Sequence, residues 1–98
     1  MTDKLEKLIA AGIQILPAHS IENFFVFERD GFVALVERRE GGFGKIGTPG
    51  LLTDKGPAPL VWRGGSAYFV AKGLEQAASA EQVEAIRRFG EDLRLALA

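Results

Sequence analysis

The chain contains no cysteine. That single absence excludes disulfides, thiolate metal sites and cysteine nucleophiles. One histidine, His19, leaves any metal ion to carboxylates alone, and no D-x-D-x-[DN]-G calcium loop is present. Long apolar runs are missing too, so nothing reads as a membrane-spanning helix. The opening "MTDKLEKLIAAG" lacks the apolar stretch of a signal peptide, which makes a cytoplasmic location the expectation. Charge of one sign is equally scarce. Lys and Arg number 12, Asp and Glu number 13, and the net charge is −1. A protein that grips nucleic acid carries a basic excess or a basic stripe. Neither is visible, and nucleic acid is not an expected partner. "RDGFVALVE" and "GGFGKIG" share letters with the RRM signature, but the aromatic alternation is incomplete and no helix comes after the first strand.

The residues that are present describe one globular domain spanning residues 1–98. Hydrophobic residues make up 47% of the chain against 26% charged, a balance that argues against disorder. Seven Phe, one Trp and one Tyr supply bulky material for a core.

Local patterns assign most of the chain. Asp3 and Glu6 have capping-box spacing, with Leu5, Leu8 and Ile9 at helical intervals. These predict a helix over 3–11, ended by Gly12 in the left-handed conformation. "IQIL" at 13–16 then reads as extended, with continuation of the helix as the alternative. In "NFFVFER-DG-FVALVER", Asp30-Gly31 suits a type I′ turn, which pairs Phe27 with Ala34 and Phe25 with Val36. One hairpin face then collects Phe25, Phe27, Phe32, Ala34 and Val36. The other holds Phe24, Val26, Val33 and Leu35. Helices on one side would leave the second face bare, an apolar patch that monomers seldom show. A homodimer, or another protein partner seated on that face, is one solution. A chain that folds over both sides is the other.

A second hairpin comes next in "APLVWR-GG-SAYFVAK", where the turn at Gly64-Gly65 pairs Trp62 with Ala67 and Leu60 with Phe69. Ser79 and Gln82 form a capping box for a last helix, striped by Val83, Ile86, Phe89, Leu93 and Leu97. Gly90 inside that helix costs about 1 kcal/mol relative to Ala. Close approach of the helix to the sheet is the expected compensation. The whole predicts an α+β fold: an N-terminal helix, a mostly antiparallel sheet of two hairpins with about four or five strands, and a C-terminal amphipathic helix.

Helix, D-G hairpin, further strands and C-terminal helix is an order that resembles the roadblock and profilin-like small domains. The helix expected after the second strand is replaced by a glycine-rich stretch, and no function or residue is carried over.

That stretch, "GGFGKIGTPG" at 41–50, spells G-x-G-x-x-G. A Rossmann site needs a helix directly after it, whereas "TPGLLTDKGPAP" stands there. A P-loop needs Ser or Thr after its lysine, whereas Ile46 succeeds Lys45. A kinase glycine loop needs a catalytic lobe that 98 residues cannot hold. Two readings remain. The glycines permit a tight crossover anchored by Phe43 and Ile46. Alternatively, backbone N–H groups of a glycine-rich loop bind phosphate or a nucleotide, with Gly42, Gly44, Lys45, Gly47 and Arg63 as the candidate residues. His19, near Ser20 and Glu22, is the one proton-transfer candidate. Ser66 in "GGSAY" fails as a nucleophile elbow, because Tyr68 stands where glycine is required. No cofactor and no catalytic residue is assigned. The sequence therefore predicts a non-enzymatic interaction or regulatory module acting as a homodimer, with small-ligand binding through 41–50 as the alternative.

Overall fold

The computed structural model describes residues 2–16, 23–54 and 56–98. His19 and Lys55 lie outside them. Helix α1 (Thr2–Ala10) and helix α2 (Ala80–Leu97) bracket eight strands: β1 (Gln14–Ile15), β2 (Phe24–Arg29), β3 (Phe32–Arg39), β4 (Gly42–Ile46), β5 (Gly50–Thr53), β6 (Gly56–Arg63), β7 (Ser66–Ala71) and β8 (Leu74–Ala77). Every strand pairing is antiparallel. The class is α+β as expected, but the sheet has eight strands against the expected four or five.

Both hairpin registers obey the turn chemistry. Phe27 faces Ala34 and Phe25 faces Val36 across Asp30-Gly31, where both turn residues adopt positive φ. Leu60 faces Phe69 and Trp62 faces Ala67 across Gly64-Gly65. Along the sheet the order is β1-β2-β3-β5-β6-β7-β8. β4 lies beside the far half of β3, where Ile46 faces Val36. It occupies the same edge that β5 takes at Phe32 and Val33, since β2 fills the opposite edge.

Strand β6 passes the ladder from one neighbour to the next. Its first half pairs with β5 and its second half with β7. Leu60 donates its N–H to the Pro49 carbonyl, on the β5 side. Alternation then turns the nitrogens of Pro57 and Pro59 toward the other edge, where no strand among the described residues pairs with them. Two prolines are thus accommodated inside an eight-residue strand.

The two helices cover one face. Leu8 and Ile13 meet Phe89, Leu93 and Ala96 over Phe27, Ala34 and Val36. Phe25, Phe27 and Phe43 stack edge to face beside them. A second cluster joins Ala58, Phe69 and Ile86. Phe43 and Ile46 pack against the first cluster, as the anchoring role assigned to them requires. The capping box of Ser79 and Gln82 is formed in both directions.

One open alternative is decided and two particulars differ from expectation. Val26 and Val33, on the face turned away from the helices, are fully buried within one chain. Trp62 is 60% exposed rather than part of the core. Gly90 does not press on the sheet: a Cβ there would meet only the Pro49 ring, at an ordinary contact distance of 3.5 Å.

Candidate functional site

The end of the β6–β7 hairpin and the first turns of α2 enclose a groove of about 450 Å³. Trp62 stands at its mouth. Ala67, Ala77, Ala78, Ala80 and Val83 line it, with Tyr68 and Glu84 at its borders. The sequence explains the shape. Register puts Trp62 opposite Ala67, and Ala78 donates its N–H to the Ala67 carbonyl. The row across the strands is therefore large, small, small, and a trough opens beside the indole. Capping at Ser79 starts α2 where Ala80 and Val83 close one side.

Electrostatics are settled by neighbours. Hydrogen bonds from Arg87, joined by Arg88, hold the Glu84 carboxyl down at about 2 from its ordinary 4.5. Arg63 bonds Glu75 at 3.0 Å. The groove thus has an apolar lining and a rim whose charges are paired.

A second cleft, about 580 Å³, lies between the β2–β3 turn and α2, lined by Arg29, Asp30, Glu81, Glu84 and Arg88 among others. Arg29 is occupied structurally: its Nη1 donates to the Ala11 carbonyl at 3.0 Å and to Asp92 at 2.8 Å. Among the described residues, no group of His, Cys, Asp and Glu is placed to hold a metal ion. No helix among them is long and apolar enough to cross a membrane.

The glycine-rich candidates divide between two hairpins. Gly42, Gly44 and Lys45 lie in β4, in extended conformation, and Gly47 donates its N–H to the Leu35 carbonyl. The segment that reads as a loop is a strand with a three-residue connection after it. The side chain of Arg39 lies over Gly44, where a Cβ would collide with it. Lys45 is exposed beside it. Arg63 belongs to the other hairpin and is engaged with Glu75. Of the five, the structure brings four together along one strand and its exit.

No family model matches this chain, and no curated protein or solved structure does either. The reading of function rests on geometry.

Sequence reasoning misses the groove because it counts Trp62 as material for the core. One signal is available: the hairpin register that sets Trp62 opposite Ala67 already flanks the indole with a small side chain.

Proposed function

We propose that this protein is a non-enzymatic interaction module that works as a homodimer. The observation that carries the reading is Trp62, 60% exposed above an alanine-lined groove. An indole held in water beside an apolar trough is the pattern of an interface anchor. Such aromatic residues account for a large share of binding energy where they become desolvated. The apolar hairpin face that first suggests association supports it less, because Val26 and Val33 are already buried within one chain.

Sedimentation equilibrium tests the reading. A dimer mass that dissociates on dilution is expected, and Trp62→Ala weakens it by about 2 kcal/mol or more, roughly thirtyfold in Kd. A monomer mass at every concentration overturns it. The chain's single tryptophan makes its own fluorescence the second readout, shifting to shorter wavelength on association.

A second reading, phosphate or nucleotide binding around Gly42, Gly44, Lys45 and Gly47, is favoured by the Arg39 side chain that lies over Gly44, although its guanidinium is also paired with Glu37. Arg63 does not join it from the other hairpin. Titration with inorganic phosphate should shift amide resonances of residues 42–47 selectively, and unchanged spectra would remove this reading.

A further inference from the structure

The homodimer reading leaves open which surface the second copy meets, and the sheet edges answer that. Several stretches of strand edge lack a neighbour among the described residues. Beside β2 at Phe24 and beside β6 at Trp62 the open edge turns only one residue's backbone groups outward. β1 offers two residues. The first half of β6 carries Pro57 and Pro59, which cannot donate. β4 is glycine-rich and bears exposed Lys45, a feature that discourages edge pairing. β8 (Leu74–Ala77) has none of these protections: no proline, no glycine and no lysine, and its one charge, Glu75, is already paired with Arg63.

We infer that two copies of this chain associate through antiparallel pairing of β8 with β8, centred on Gln76. This rests on the dimer reading above and specifies its interface. The hydrogen-bond pattern selects the register. Ala78 gives its N–H to Ala67, so alternation turns Gln76 and Leu74 toward β7 as well. Glu75 and Ala77 are left with N–H and C=O groups directed outward.

A two-fold axis at Gln76 sets Glu75 of each copy opposite Ala77 of the other, and these pairs exchange four backbone hydrogen bonds. An axis at Glu75 would instead oppose two carboxylates, which is unfavourable. At Gln76 the two amides meet as a close, non-hydrogen-bonded pair, and each can donate to and accept from the other. Exposure agrees: Glu75, Gln76 and Ala77 all face solvent in the single chain.

The same register extends the row beside the groove. It places Leu74 of the second copy opposite Ala78. The row across the sheet then runs Trp62, Ala67, Ala78 and the incoming Leu74, about 14 Å at the usual strand spacing. A second copy therefore adds an apolar side chain beside Ala78, at the end of the row away from Trp62. Backbone pairing and apolar contact are both met by one partner, a second copy of this chain.

The absence of native cysteine makes the test direct. Gln76→Cys under mild oxidant should give a covalent dimer, because the close Cα approach in a non-hydrogen-bonded pair suits a disulfide. Leu95→Cys, exposed near the C-terminal end of α2, is the control. Gln76→Lys, which opposes two ammonium groups on the axis, should raise the dissociation constant at least about tenfold with unchanged thermal stability at high dilution. Cross-linking of Gln76→Cys no faster than Leu95→Cys, in a wild-type chain that is dimeric, overturns the β8 interface and leaves the dimer reading standing. So does a Gln76→Lys chain as dimeric as the wild type. A wild-type chain that is monomeric throughout overturns both.

Discussion

Glycine has opposite consequences at two positions of this chain. Gly50 is buried where β3, β5 and β6 meet, and a Cβ there would sit 2.1 Å from the Ala58 carbonyl oxygen. Backbone cannot retreat from such a contact without breaking the ladder. Gly50→Ala is expected to cost about 3 kcal/mol, the upper range for an overpacked site. At Gly90 a methyl group would only touch the Pro49 ring, within a helix that glycine weakens. Gly90→Ala is expected to stabilise by about 1 kcal/mol. Urea unfolding of both variants checks the pair. Equal signs would show that one of the two environments is misread.

Helix α2 carries the pH dependence that belongs to an element. Glu84 accepts from Arg87 and Arg88 one turn on, and these bonds hold it ionised down to about 2. A carboxyl lowered in the folded state contributes stability that is complete above its unfolded value. That contribution is lost as pH falls from 4.5 toward about 2. Glu84→Gln should lower the melting temperature at neutral pH and flatten its decline across that window, so that variant and wild type converge near pH 2. A variant that melts with the wild-type acid profile would count against the assignment. The same helix shows what the sequence makes legible. Its cap and stripe are encoded within a few residues of each other, as are the turns at Asp30-Gly31 and Gly64-Gly65. Strands β4, β5 and β8 are encoded differently. "GFGKI", "GLLT" and "LEQA" carry weak patterns of their own, and pairing with stronger neighbours makes them strands. The turn-forming residues after Gly47 are enough to reject the nucleotide-loop spelling at 41–50, but only partner register shows that residues 42–46 extend along β3. The groove is hidden from the sequence for a related reason: it forms where the first turns of α2 meet the end of the β6–β7 hairpin.

At the scale of the molecule, sheet and helices fill a body 40 × 26 × 19 Å. Arg29 links the two. From the end of β2 it reaches the C-terminal end of α1 through Ala11, reaches α2 through Asp92, and lies 5.6 Å from the Phe89 ring centre. None of this is apparent from the sequence, where Arg29 is simply the last residue before a turn. Its partners are 18 and 63 residues away.

The order of the strands has a kinetic consequence. Apart from β5 joining β3 past the β4 excursion, neighbours in the sheet are neighbours in the chain. Short loops close cheaply, so the hairpins can assemble early, while the meeting of α1 with α2 must wait for almost the whole chain. Interactions made after the rate-limiting step alter the rate of escape from the native state more than the rate of entry. Arg29→Ala is therefore expected to speed unfolding and to leave refolding nearly untouched, with an equilibrium loss of about 2 kcal/mol. Stopped-flow measurement of both limbs decides it, and a slowed refolding limb would place the clamp in the nucleus. On this account the arginine sets the lifetime of the native state: the sheet assembles without it, and it keeps the helices in place afterwards.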